Sequence, residues 1–224
     1  MVTKRLHNIR IQGPTRPAVL VLPEHDHITN VVLRYNTYYE IDLLNAIRAQ
    51  KRSGVYVDVG AHYGNHTTYF ALECSSTRVV SIEANPETYS GLVNTISANG
   101  LVGKVTSYNL AIHPIWKKVK SMIPDTANTG TGMVKEELSG NIDARPLDEV
   151  LANIENIAVI KSDAQYLDDL VIRSGINTIK KWKPLLSVEA CTVEEVAVLQ
   201  DILGPLGYRK IGTYASSPTH LWTI

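Results

Sequence analysis

The sequence predicts an α/β fold: a doubly wound, mostly parallel sheet of seven strands, with a C-terminal antiparallel strand pair and a small N-terminal cap. Three observations carry this. From residue 38 onward, short apolar runs alternate with segments of helical period, the pattern of parallel strands joined by crossover helices. The stretch from Val55 to Thr67 reads as strand, glycine loop and helix start, with Asp58, Gly60 and Gly64 in the order Asp-x-Gly-x-x-x-Gly. Finally, residues 208–214 and 219–224 form two strand-like runs that close the chain.

The elements follow in order. Residues 1–37 are expected to form the cap, with apolar runs at 18–22, between Pro17 and Pro23, and at 31–33 suggesting a hairpin. His25-Asp26-His27 between them has some metal-ligand character but also suits a polar loop. The main domain is expected over 38–224. A helix over 38–51 puts Ile41, Leu44 and Ile47 on one face and ends in basic residues before Ser53-Gly54. Strands are expected at 78–82 and 105–112, separated by a helix over 86–98 that Asn99-Gly100 closes. Residues 113–142 are less regular, with Pro114, Pro124 and the turn Asn128-Thr129-Gly130-Thr131-Gly132. A short helix over 146–154 precedes an apolar strand at 157–160, buried on both faces. A helix over 166–174 with Gly175 as its cap, a strand over 185–189 and a helix over 193–203 complete the series.

Composition narrows the function. The chain has 224 residues and a formal net charge of zero, which disfavours a large phosphate-binding face and hence a nucleic-acid partner. Two cysteines, Cys74 and Cys191, make neither a disulfide framework nor a metal-spaced set. No apolar run approaches membrane-spanning length and no signal peptide is evident, so the expected setting is the cytoplasm, with no membrane partner.

In an open α/β sheet, ligands sit outside the carboxyl ends of the strands. Here those ends carry Asp58 with Gly60, Glu83-Ala84-Asn85, Asn109-Leu110-Ala111-Ile112, Lys161-Ser162-Asp163 and Glu189. Glycines in the first loop bare backbone N–H groups to a ligand. Glu83, at the tip of the next strand, is positioned to accept hydrogen bonds from ribose hydroxyls. A second reading makes this cluster a helix start, with Asn85 as N-cap, Pro86 at the first position and Glu87 in the first turn. The two readings are compatible.

The glycine spacing resembles the first motif of class I S-adenosylmethionine (SAM) methyltransferases, and the wider pattern resembles the FkbM family. Glu40, then Val57-Asp58-Val59-Gly60-Ala61 and Gly64-Asn65-His66-Thr67, resemble its opening block. Glu83-Ala84-Asn85-Pro86 and Asn109-Leu110-Ala111-Ile112 resemble its second and third motifs. Asn128-Thr129-Gly130-Thr131-Gly132 and Leu147-Asp148-Glu149-Val150-Leu151 resemble a family loop and helix. The resemblance spans about residues 38 to 190 and implies a class I methyltransferase fold with SAM as cofactor and S-adenosylhomocysteine as product. It implies cofactor contacts from Glu40, Asp58, Gly60, Ala61, His62, Tyr63, Gly64, Asn65, His66, Thr67, Glu83, Ala84, Asn85, Asn109, Ala111 and Asp163. The chain departs from the family where Lys-x-Asp-x-Glu-Gly-x-Glu is usual: Gln165, Tyr166 and Asp168 stand at the last three named positions. His62 stands where Asn is common, and His113 where Gly is usual.

The expected chemistry is O-methylation of a small molecule or glycan. A hydroxyl acceptor has to lose its proton, to a side chain or to a metal that lowers its pKa. Asp163 is the first candidate for either role, with cofactor ordering or a pairing with Lys161 as the alternative; His113 is the second candidate base. Asn128, Gly130, Lys161, Gln165 and Glu189 are the candidate acceptor contacts. Residues 113–142 are expected to line the acceptor pocket rather than the cofactor pocket. A divalent metal is compatible with the pattern, and no oligomeric state follows from it. Two other readings stay open: a nucleic-acid or protein methyltransferase, and a SAM-binding module without activity, the latter suggested by Gln165 and Tyr166.

Overall fold

The computed structural model describes residues 5–125, 127–137 and 139–224. Strands β1 (Leu6–Gln12) and β2 (Pro17–Pro23) form an antiparallel hairpin. The run at 31–33, expected as a strand, instead lies in helix α1 (His27–Tyr35). Asp26 starts this helix by accepting the Ile28 N–H at 3.0 Å. Only Val32 of the apolar triplet is buried, while Leu33 is 59% exposed. Three apolar residues have no period by which a strand can be told from a helix.

The alternating series then follows: α2 (Ile41–Ala49), β3 (Gly54–Val59), α3 (Asn65–Glu73), β4 (Ser76–Glu83), α4 (Pro86–Ala98) and β5 (Val105–Asn109). Asn85 and Pro86 start α4, the Asn85 side chain accepting from the Glu87 and Thr88 N–H groups. The strand expected over 105–112 is cut at Leu110. Residues beyond it, β6 (Ala111–Ile112), turn into a second sheet with β7 (Lys117–Met122), β8 (Met133–Glu136) and β9 (Ile142–Arg145), in the order β6-β9-β7-β8. The chain continues through α5 (Leu147–Val150), shorter than the expected 146–154, then β10 (Ile157–Ser162), α6 (Asp168–Ser174), α7 (Ile176–Trp182), β11 (Leu185–Glu189), α8 (Val193–Leu203), β12 (Arg209–Tyr214) and β13 (Thr219–Thr223).

The main sheet has the order β12-β13-β11-β10-β3-β4-β5. Its central pairs are parallel, and β13 runs antiparallel to β11 and β12, so the seven-stranded sheet is mixed. Strand order reverses between β3 and β10, which opens a crevice at their carboxyl ends. Alternate residues divide the sheet between two cores. Tyr56, Val79, Val159 and Leu185 pack toward α2, α3, α4 and the hairpin, whose Ile11, Leu20 and Leu22 join the same core. Val57, Val80, Ile160 and Leu186 pack toward α5 to α8. Each such fully buried aliphatic side chain contributes about 1.5–3 kcal/mol of transfer free energy. Among the described residues, no helix is long and apolar enough to cross a membrane.

Candidate active site

Near the carboxyl ends of the strands, the first core turns polar. Ser187, Lys161, Asp58 and Ser81 form one row across β11, β10, β3 and β4. All four are at most 2% exposed. A buried charge is tolerated only when paired, and here the pairing is dense. Lys161 Nζ lies 3.3 Å from Asp58 Oδ1, 3.5 Å from Asp163 Oδ2 and 3.0 Å from the Gly60 carbonyl. Burial alone opposes the ammonium, but Asp58, then Asp163 and Glu40, outweigh it and hold the Lys161 pKa above its ordinary value. The Thr67 hydroxyl, on α3, donates to Asp58 Oδ2 at 2.6 Å and so docks the helix onto the row.

The loop after β3 is shaped by backbone. Gly60 has φ +73°, and a Cβ there would overlap the Asp163 carbonyl oxygen. His62 also has a left-handed backbone, φ 52°, a region that His and Asn tolerate better than most residues. The His62 and Asn85 N–H groups each donate to the Glu83 carboxylate, both at 2.8 Å. Burial, only partly offset by these donors, pushes the Glu83 pKa up to about 7. Each carboxylate oxygen keeps a lone pair for a further donor, so Glu83 both holds its loop and faces the cavity.

Sequence reasoning missed the brace over this loop. The Thr129 N–H and hydroxyl donate to Asp26 Oδ2 at 2.8 and 2.7 Å. With its hydrogen so placed, the Thr129 hydroxyl accepts from His62 Nε2 at 3.0 Å. Burial lowers the His62 pKa to about 4, and the ring stays neutral. Asp26, one of the suspected metal ligands, is therefore a helix cap and a brace to the 129–132 turn.

The loop after β10 is shaped by acids. Asp168 accepts from the Ser162 hydroxyl at 2.5 Å and the Ala164 N–H at 3.1 Å. Burial, with Asp163 adding to it, pushes Asp168 up to about 7. The Gln165 amide bridges two acids, donating to Asp163 Oδ1 at 3.2 Å and Glu189 Oε2 at 3.4 Å. Burial works against ionised Asp163, but Lys161 and then His66 prevail, and its pKa lies below the ordinary value. Burial, then Asp163 and Asp168, push Glu189 up to about 9. Asp163 is thus the ionised partner of a carboxyl pair and Glu189 the protonated one.

One cavity lies where these loops meet. Its lining includes Gly60, His62, Glu83, Ala84 and Asn85 on one side and Lys161, Asp163 and Gln165 on the other. Glu40, Asn65, His66, Ala111 and Gly130 also reach it. His66 Nε2 meets Glu40 Oε2 at 3.2 Å, and the Asn65 side chain pairs with both backbone groups of Tyr39. Among the described residues, no three His, Cys, Asp or Glu side chains converge as a metal-ligand set.

The model of the methyltransferase FkbM domain matches residues 58–210, more than half of the chain. The protein belongs to the FkbM methyltransferase family. A solved FkbM methyltransferase from Methylobacillus flagellatus KT superposes with a TM-score of 0.56 at 19% identity, over 77% of this chain and 44% of that one. The chain thus spans less than half the length of that protein. A precorrin-6y C5,15-methyltransferase from Geobacter metallireducens GS-15 gives 0.51 at 12% identity, over 82% and 86% of the two chains. At these identities, both show the shared fold. Among curated proteins none matches the sequence.

In this FkbM-family protein several expected contacts lie behind the cavity wall rather than in it. Asp58 and Thr67 are fully buried; Thr67 holds Asp58, and Asp58 holds Lys161, which is itself spent on Asp58, Asp163 and Gly60. Ala61 and Tyr63 are buried beneath the loop, Tyr63 against Gly91, and Gly64 starts α3 under Leu92 and Thr95. The Asn109 amide donates to the Glu83 and Ala84 carbonyls, which supports their loop from behind. Asn128 accepts the Gly130 N–H within its turn. His113 lies outside the cavity, its Nδ1 accepting the Ile115 N–H at 3.1 Å. Residues 113–142 were expected at the acceptor. Ser121, Ile123, Met133 and Val134, with Thr129, Gly130 and Gly132 of the turn, line the same cavity as Glu83, and Ser121 accepts from the Asn85 amide at 3.0 Å. Residues 126 and 138 of that segment lie outside the described residues.

Proposed function

We propose that this FkbM-family protein is a SAM-dependent methyltransferase that methylates a hydroxyl on a small molecule or glycan. The observation that carries this reading is that Glu83 and Asp163 face one cavity from opposite sides of Gly60, at the switch point of the sheet. The residues present fit the cofactor. Glu83 would take the ribose hydroxyls, Leu110, Ile112 and Ile123 would supply an apolar wall for a purine, and Glu40 would supply an acid for the cationic methionine end. SAM supplies an electrophilic methyl group on a sulfonium.

The chain's own part is to bind, orient and manage one proton. Holding the acceptor oxygen in line with the methyl carbon supplies much of the acceleration. Bound SAM would supply the methyl group to the acceptor oxygen and leave as the neutral thioether, and the Asp163 carboxylate would take the hydroxyl proton. Lys161 and Gln165 keep that carboxylate ionised and aimed. The charge balances, because one sulfonium and one carboxylate give two neutral groups. The acids around the cavity also speak against a polyanionic acceptor such as nucleic acid, and a soluble cytoplasmic setting suits such chemistry.

Calorimetry tests the reading. S-adenosylhomocysteine is expected to bind, and Glu83→Ala to weaken it tenfold or more, since a hydrogen bond to a charged group contributes about 1.5–3 kcal/mol. Binding of NAD with none of SAM or S-adenosylhomocysteine would overturn the cofactor assignment.

A further inference from the structure

His62 lines the cavity, and a chain of hydrogen bonds settles which of its ring nitrogens carries hydrogen. The chain begins in the N-terminal cap. Asp26 is fully buried, and its carboxylate only accepts. Oδ2 takes both the N–H and the hydroxyl hydrogen of Thr129, at 2.8 and 2.7 Å. The Thr129 oxygen, 3.0 Å from His62 Nε2, has no second hydrogen to give and so accepts. Nε2 therefore carries the hydrogen, and in the neutral ring Nδ1 is left with a lone pair. Among the described residues Nδ1 has no hydrogen-bond partner, yet it is not one of the buried atoms that lack one, so it reaches open space. The open space that His62 borders is the cavity. The His62 N–H donates to Glu83 Oε2 at 2.8 Å, so the ring leaves the loop beside the carboxylate assigned to the ribose.

We infer that His62 Nδ1 accepts a hydrogen bond from a ribose hydroxyl of the bound nucleoside, and that Asp26, acting through Thr129, is the positioning residue that keeps this nitrogen unprotonated and aimed. The inference rests on the reading that Glu83 holds the ribose of the cofactor. A ribose carries two neighbouring hydroxyl donors, and Glu83 with Nδ1 sets acceptors side by side to meet them. In its other tautomer the same ring would offer a donor at that place instead. Asp26 does not itself line the cavity. The cap thus acts on the ligand without touching it, through one hydroxyl and one ring.

The test is long-range proton–nitrogen NMR of the imidazole nitrogens on the full chain. His62→Gly marks the His62 signals, since glycine accepts the left-handed backbone there. The ligand-free parent is expected to show a single His62 tautomer, with hydrogen on Nε2. S-adenosylhomocysteine is expected to move the Nδ1 signal toward that of a hydrogen-bonded nitrogen. Thr129→Val keeps the volume and the N–H bond to Asp26 but deletes the hydroxyl. It is expected to mix the tautomers and to weaken S-adenosylhomocysteine about fivefold, the scale of one neutral hydrogen bond. Thr129→Ser is expected to restore both. Added to His62→Gly, Thr129→Val is expected to cost no further affinity, because it acts through the missing ring. Of the two S-adenosylhomocysteine analogues that lack one or the other ribose hydroxyl, one is expected to bind the parent and Thr129→Val equally.

Hydrogen on Nδ1 in the parent, or an Nδ1 signal that no nucleoside ligand moves, would overturn the inference, and both are read without any variant. So would a Thr129→Val loss that persists without the ring, or equal losses for the two analogues. Binding of NAD in place of S-adenosylhomocysteine would sink the cofactor reading alone, and the ribose hydroxyls of NAD would then serve as the probe of the same nitrogen.

Discussion

The two loops that frame the cavity are built by opposite means. After β3, shape comes from backbone: Gly60 and His62 turn left-handed, and main-chain N–H groups hold Glu83. After β10, shape comes from side chains: Asp168 pins the turn, and Gln165 spans Asp163 and Glu189. Backbone donors are indifferent to sequence apart from the glycine, so the first loop suits a ligand shared across many relatives. Side-chain acids are replaceable one at a time, so the second loop suits a partner that varies. Lys161 joins the two, bound to the Gly60 carbonyl on one side and to Asp163 on the other.

The sharpest way to break this division is to remove the joint. Lys161→Met leaves Asp58 and Asp163 without their counter-charge, and removing one partner of a buried pair costs about 3–5 kcal/mol. Urea denaturation is expected to show a loss of that order; a loss below about 1 kcal/mol would mean that the loops are held independently. Next in size, Asp163→Asn is expected to lower methyl transfer by roughly 10²–10⁴-fold, the usual range for a general base. The S-adenosylhomocysteine dissociation constant should change little. Equal losses in both would move Asp163 to the cofactor side. A chelator added to the parent enzyme separates a direct base, which continues, from a metal-bound hydroxyl, which stops.

A pH titration sharpens the acidic side. Glu189 binds its proton more tightly folded than unfolded, with a pKa near 9 against an ordinary 4.5. Unfolding therefore releases that proton between these values, and stability falls as pH rises through the window. Glu83 and Asp168, each raised to about 7, steepen the lower part of the fall. Glu189→Gln is expected to gain roughly 1–2 kcal/mol on the parent between pH 5 and pH 9. Melting curves that run parallel across that range would remove the carboxyl pair. The smallest effect is expected at His113, which lies outside the cavity. His113→Ala should leave turnover within about twofold of the parent, since a side chain beyond hydrogen-bond reach of the reacting proton cannot serve as its base. A tenfold loss would place the small sheet in the chemistry.

Local chemistry made much of this molecule legible in advance. Apolar runs marked β3, β4, β10 and β11, glycine and proline punctuated their loops, and Asn85-Pro86 announced α4 two residues beyond Glu83. Each of these signals acts within a few residues, so a single chain displays it. What only tertiary structure decided depends on distant partners. Whether Val31 to Leu33 joined a strand or a helix turned on Asp26, whose Oδ2 accepts from both the N–H and the hydroxyl of Thr129, 103 residues away. The cut of the third strand at Leu110 depended on β9, and α7, which shows no strong period, on the core that takes Ile179. Lys161 read as an acceptor contact because nothing in its own strand showed that Asp58 would stand beside it. Pairing register across the sheet turned a lysine and an aspartate from ligand groups into a buried tie, since a charge can enter the core only where another strand brings its partner.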